Sequence, residues 1–299
     1  MKKFNALFFT LITLFAASQA CSKAWAQTSA PPMISTPLSQ KTPIVIGHTD
    51  SVHSAILNEQ RVINVTLPEG YDEKTKATYP VIYLLDGAID EDFIHIAGAV
   101  QFSSFSWVQR LPPSILIGIA NTDRKRDMTF TPSSSFEWPS WARKHKESYK
   151  TAGGSDKFIS FIERELQPYI AQHYKTNGDK TVIGQSLAGL LATEILLKRP
   201  NLFNTYIIMS PSLWWDNQSL LKKAPDYLQS LPATKLKVYL AVGEEGAEMI
   251  GDAKALANVV QKAMEKQGKF YFDYLPKENH GTILHGAVMQ AFTQLYEKI

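Results

Sequence analysis

Hydrophobic positions along this chain fall into short runs of two kinds, and the two kinds alternate. Arg61 to Leu67 (RVINVTL) places apolar residues at nearly every second position, the spacing of a half-buried strand. Pro80 to Leu85 and Ser114 to Ile119 are short apolar runs of the type covered on both faces. Lys157 to Tyr174 instead spaces Phe158, Phe161, Ile162, Leu166, Tyr169 and Ile170 along one helical stripe. Strand-like runs recur at Lys180 to Ile183, Thr205 to Met209, Lys237 to Val242 and Phe270 to Leu275. Helical stretches at Leu187 to Lys198, Gly251 to Lys266 and Gly286 to Lys298 lie between and after them. Such alternation predicts an α/β chain with a mostly parallel central sheet and helices on both faces. No internal repeat or second linker breaks residues 43–299, which read as one domain.

The N-terminus follows a different pattern. Met1-Lys2-Lys3 precedes an apolar stretch from Ala6 to Ala17, and Ala24-Trp25-Ala26 supplies small residues in A-x-A spacing. A charged start, a short apolar run and a small-residue site are the parts of a secretory signal peptide, expected over residues 1–26. The apolar run falls short of the ~20 residues of a membrane span, and no other segment approaches that length. Cys21 raises the alternative of a lipid-modified cysteine, but Ser18-Gln19-Ala20 is a poor approach to such a site; cleavage after Ala26 is preferred. Residues 27–42, rich in Ser, Pro, Thr and Gln, read as a flexible tether. The expected location is periplasmic or extracellular.

Composition matters once that segment is subtracted. The whole chain carries 31 basic and 28 acidic residues, and the signal would remove Lys2, Lys3 and Lys23, leaving 28 of each. A balanced chain has no electrostatic reason to bind nucleic acid or an anionic membrane. Its single cysteine would leave with the signal, which excludes disulfides, cysteine-based zinc sites and thiol catalysis. A chain of this length with 44% hydrophobic residues can instead rely on one large core.

Chemistry concentrates at Thr181 to Leu190 (TVIGQSLAGL), where a β-branched run ends in Gly-x-Ser and passes directly into a helical segment. That strand, turn and helix is the context of a nucleophile elbow, which presents a serine hydroxyl on a strained turn. The helix N-terminus behind Ser186 directs backbone N–H groups toward a developing oxyanion. Ala188 occupies the fifth motif position, where glycine is usual. Hydrolases built on such an elbow supply serine, acid and histidine in that chain order. His48, His53, His95, His145 and His173 precede the serine, and His285 falls on the start of the last helical stretch. His280, in Lys277 to Thr282 (KENHGT), lies just beyond the last strand-like run and is the expected base.

These segments resemble the esterase family that includes esterase D, siderophore-lactone esterases, feruloyl esterases and the mycolyltransferases. The resemblance spans residues 54–71 (SAILNEQRVINVTLPEGY), 80–87 (PVIYLLDG), 118–131 (GIANTDRKRDMTFT), the elbow, 210–216 (SPSLWWD) and 278–282 (ENHGT). It implies the α/β-hydrolase fold, with oxyanion donors at the backbone N–H groups of Leu187 and Ala88. It also implies an acid in the loop Glu244-Glu245-Gly246-Ala247-Glu248. Glu248, bordering a helix expected to begin near Met249, is the first choice, with Glu244 and Glu245 as alternatives; Asp252 reads first as a helix N-terminal charge.

Trp214 and Trp215 are expected on the serine's edge of the sheet as walls of a substrate pocket. Arg124 and Arg126 are expected either to bind an anionic group or to brace their loop by pairing with Asp127. The expected chemistry is two-step hydrolysis of a small or medium ester, such as a siderophore lactone or an acyl or feruloyl ester, through an acyl-enzyme without metal or organic cofactor. Acyl transfer to an alcohol is the alternative within the same chemistry, and a non-catalytic binding protein of the same fold is the alternative outside it.

Overall fold

The strands that the pattern marks assemble into one eight-stranded sheet in a computed structural model, which describes residues 41–229, 236–265 and 268–296. Their order across the sheet is β1 (His48–Ser54), β2 (Glu59–Thr66), β4 (Ile115–Ile119), β3 (Tyr79–Leu84), β5 (Thr176–Gln185), β6 (Thr205–Met209), β7 (Leu236–Gly243) and β8 (Gly268–Leu275). β2 pairs antiparallel with β1 and β4; every other pairing is parallel. This is the α/β-hydrolase-like architecture, formed by the unit Val45–Ile299. The other unit, Met1–Ile44, contributes only residues 41–44 to the description, without regular structure. The expected signal and most of the expected tether lie outside the described residues. No helix among those described is long and apolar enough to cross a membrane.

Alternate residues of each central strand enter different cores, as the pleat requires. Val182, Ile208, Val238 and Leu240 join one cluster with α3 (Ser155–Phe161), α4 (Gln167–His173), α5 (Leu187–Lys198), α6 (Trp215–Leu228) and α7 (Gly246–Met264). Ile183, Ile207, Tyr239 and Ala241 join the other with α1 (Phe93–Ser104) and α8 (Ile283–Leu295). Burying each such aliphatic side chain is worth roughly 1.5–3 kcal/mol.

Four features differ from the pattern. β1 (HTDSVHS) is a mostly polar edge strand, and α1, which packs beside α8 on one face of the sheet, carries apolar residues such as Ile94 and Phe102 even on its exposed side. α6 opens on Asp216, Asn217 and Gln218 with φ of 51°, 54° and 58°, a left-handed run that no helical periodicity foreshadows. The expected helix Lys157 to Tyr174 forms as α3 and α4 joined by a π turn over Ile162–Leu166. The wider turn precedes Pro168, whose missing N–H breaks the ordinary bonding ladder.

Candidate active site

Six parallel strands end on one edge of the sheet, and the segments leaving those ends build a single site. Ser186 follows β5 with φ 62° and ψ −119°, a conformation costing a non-glycine residue about 1–3 kcal/mol. Steric fit holds it there. A Cβ on Gly184 would lie 2.5 Å from the Ala188 carbonyl oxygen, and one on Gly189 would lie 2.8 Å from that of Met209. The tight glycines are therefore 184 and 189, and the methyl of Ala188 is accommodated in the buried core. Leu187 is the first residue of α5, so its N–H has no acceptor within the helix and is a candidate oxyanion donor.

His280 lies on the turn between β8 and α8. Its Nε2 is 2.9 Å from Ser186 Oγ, and its Nδ1 is 2.5 Å from Glu245 Oε2. The turn is stitched to its neighbours: Gln185 Nε2 donates to the His280 carbonyl, and Glu244 N–H donates to that of Glu278 at 2.7 Å. Gly243 permits the approach, because a Cβ there would lie 2.7 Å from the Glu278 oxygen.

Of the three glutamates expected in the loop after β7, the structure brings Glu245 to the histidine, not Glu248. α7 begins at Gly246 instead of near Met249, so Glu245 is its N-cap and Glu248 is already in its first turn. Gly246, with φ 85°, makes this early start possible. The Glu245 side chain is only 3% exposed. Its Oε1 accepts from Ser210 Oγ and from Gly243 N–H at 3.2 Å. Burial works to raise the Glu245 pKa, but hydrogen bonds from His280 and Ser210, the His280 charge and the Gly243 amide together hold it below the ordinary value. Glu248 instead accepts from the indole Nε1 of Trp141 at 2.8 Å, and Glu244 accepts from Tyr274. Asp252 lies within α7, away from His280's hydrogen bonds.

Ser210 and Ser212, on the turn after β6, are site residues that the sequence reading did not single out. Ser210 braces Glu245 from a φ of 43°, and Ser212 Oγ sits 3.4 Å from Ser186 Oγ. Two polar residues flanking a proline in SPS were the available signal.

A cavity of about 500 Å³ opens over Ser186 and His280, lined also by Arg124, Trp141, Tyr149, Trp214 and Met249. Trp214, 5% exposed, lines this cavity; Trp215 does not. The Trp215 side chain turns into the core and donates its indole N–H to the Phe130 carbonyl at 2.9 Å. Arg124 reaches the cavity, but its brace is a bidentate pair with Asp86 at 2.7 and 2.8 Å, not Asp127. Asp127 is taken by Arg126 and by the buried Arg61. The Ala88 N–H, the other expected oxyanion donor, donates to Glu91 Oε2 at 3.2 Å, and Ala88 does not line the cavity. Among the described residues no cluster of three His, Cys, Asp or Glu side chains could hold a metal.

Serine, imidazole and buried carboxylate in this sequence can carry out nucleophilic acyl transfer, and the comparisons with known proteins agree in direction. The ferri-bacillibactin esterase BesA of Bacillus subtilis is 29% identical over 255 residues, 78% of this chain and 84% of its own. The structure of an IroE-like serine hydrolase from Shewanella oneidensis superimposes with a TM-score of 0.74 at 30% identity, covering 84% of this chain and 80% of that one. The BES protein of Bacillus cereus gives 0.75 at 26% identity over 86% and 98%. A family profile described as "Putative esterase" matches residues 54–283, and with a serine hydrolase among its relatives the chain belongs to that esterase family, as a serine esterase related to siderophore esterases.

Proposed function

We propose that this protein hydrolyses an aryl-bearing ester or lactone of the siderophore type, after export from the cytoplasm, with Ser186, His280 and Glu245 as its catalytic triad. The observation that carries the triad is the continuous hydrogen-bonded chain from Ser186 Oγ through both ring nitrogens of His280 to Glu245. His280 Nε2 takes the hydroxyl proton as Oγ attacks the ester carbonyl, and Glu245 stabilises the imidazolium that forms. The Leu187 N–H, backed by the α5 N-terminus, receives the developing oxyanion. The protonated histidine then releases the alcohol, and water enters with His280 again as base. His280 is 47% exposed on its side chain, which favours water over an alcohol acceptor in the second step.

The substrate class is supported by the cavity. Trp141, Tyr149 and Trp214 offer faces to a planar ring, and the Arg124 guanidinium offers donors to a carbonyl or hydroxyl oxygen. The relationship to BesA, a ferri-bacillibactin esterase, points the same way. Export is supported by the charged start, apolar run and A-x-A spacing of residues 1–26.

The test is turnover of a catecholate trilactone beside a short-chain acetyl ester. The trilactone is expected to show the higher kcat/KM, and Ser186→Ala should abolish both activities and fluorophosphonate labelling while leaving the circular dichroism spectrum unchanged. Undiminished labelling of Ser186→Ala would remove Ser186 from the mechanism. Export is checked by the N-terminal sequence of protein recovered from outside the cytoplasm, expected to begin at Gln27.

A further inference from the structure

Residues 131–154 leave the site edge after α2 (Arg124–Asp127) and return to α3. The two ends are tied together: Phe130 bridges Gly153 and Gly154, and Thr131 Oγ1 donates to the Gly153 carbonyl at 3.1 Å. Between those ties the two limbs are held in different ways. In the outgoing limb, Ser133 N–H and Oγ each donate to Asp216 at 2.7 Å. Glu137 N–H donates to Asn217 Oδ1 at 3.1 Å, and Asn217 Nδ2 donates to the Ser135 carbonyl at 2.8 Å. The left-handed run that opens α6 is thus an anchor for this limb.

The returning limb, residues 140–148, bonds mainly to itself, as Ser148 Oγ does to the His145 carbonyl at 2.7 Å. Among the described residues its one side-chain hydrogen bond to another part of the fold is that from Trp141 Nε1 to Glu248 Oε2, 2.8 Å long. Trp141 is 49% exposed, yet it lines the cavity over Ser186, with its ring edge-on to Trp214 at 5.2 Å. The first turn of α7 therefore bears on the site twice. Glu245 at its start meets the imidazole, and Glu248 fixes the far wall.

We propose that Glu248 is a specificity-determining positioning residue: by holding the Trp141 indole against Trp214 it sets the width of the acyl pocket and favours planar aryl esters over short aliphatic ones. The inference rests on the reading of this cavity as the ester site. A ring stacked in the cavity needs a wall already in place, because an untethered tryptophan on this limb must be ordered at the expense of binding. A short acyl group has little surface to place against such a wall and gains less from its order.

Four full-length proteins test it: wild type, Glu248→Ala, Trp141→Phe and the double variant, each assayed on p-nitrophenyl benzoate and p-nitrophenyl acetate. Glu248→Ala is expected to lower the benzoate-to-acetate ratio of kcat/KM by about tenfold, the effect of one lost hydrogen bond to a charged group. The loss should appear in the benzoate KM. Trp141→Phe keeps an aromatic ring but lacks the N–H, and should lower the ratio similarly. The double variant should lose no more than the larger single loss, because both substitutions remove the same bond. Additive losses, or an equal fall in kcat for both esters, would overturn the proposal. If wild type turns over neither ester, the reading of the cavity as an ester site fails and takes this inference with it.

Discussion

Around Ser186 the chain is fixed by steric fit, whereas around His280 and Glu245 it is fixed by hydrogen bonds between loops that meet only in the folded sheet. The elbow has no room for a Cβ at Gly184 or Gly189, and its helix is buried along almost its whole length. The acid and base are held by Ser210 and Gly243 on Glu245, Gln185 on the His280 carbonyl, and Glu244 on that of Glu278. Packing fixes the nucleophile's backbone, while polar contacts fix the orientation of a charge. Damage to the first should appear as lost stability, and damage to the second as lost turnover and altered pH response.

The sharpest contrast lies within the second region. Glu245→Gln should lower kcat by about 10³–10⁴-fold, as loss of the orienting carboxylate does in other triads. Glu248→Gln, whose amide oxygen can still accept from Trp141, should lose less than about tenfold on an acetyl ester by the hydrogen-bond scale. Equal losses at the two positions would break the assignment of Glu245. On the elbow side, Gly184→Ala should destabilise the fold by about 2–4 kcal/mol, since its Cβ meets backbone that cannot rotate away. Urea denaturation measures this loss, which should be the same at pH 5 and pH 8.

Ser210→Ala should lower kcat by about tenfold through the lost bond to Glu245. Its stability effect should depend on pH. Glu245 has a depressed pKa in the folded state, so its contribution is present above the ordinary glutamate value and is lost as pH falls through the folded one. Removing Ser210 weakens that contribution, so the Tm difference from wild type should be larger at pH 7 than at pH 3.

Asp252 gives the smallest effect and the opposite sign. Burial, followed by repulsion from Glu248, raises its pKa to about 6, so the folded chain holds this proton more tightly than the unfolded one. Asp252→Asn should therefore stabilise the protein at pH 8, by about 1 kcal/mol after allowance for solvent screening. Near pH 3.5 it should change nothing.

The same contrast explains what could be read from the sequence. The elbow is local: strand run, small residues and helix lie within Thr181 to Leu190, and the sterics that demand glycine act over a few positions. His280 was legible through chain order and its place after the last strand-like run. The acid was not, because the choice among Glu244, Glu245 and Glu248 depends on where α7 begins. That start is set by Gly246 in a left-handed conformation and by Ser210, 35 residues away in sequence, waiting for the carboxylate. Trp214 and Trp215 looked equivalent as neighbours, yet the turn into α6 sends one to the cavity and the other to the Phe130 carbonyl. The polar strand β1 and the largely apolar helix α1 were missed because neither alternates apolar and polar faces: one lies at the sheet's edge, and the other leaves apolar residues such as Ile94 and Phe102 on its exposed side.

The position of β8 has a kinetic consequence. Among the described residues it is an edge strand, paired only with β7, and the loop that follows it carries His280. Edge segments open more readily than the interior of a sheet, so a partial opening can withdraw the base while β3, β5 and β6 stay paired. Hydrogen exchange at the amides of β8 and the His280 loop should accordingly be faster than in β5. In a urea titration, turnover should fade before the signal of global unfolding, and the catalytic assay would then report the loosening of a single strand.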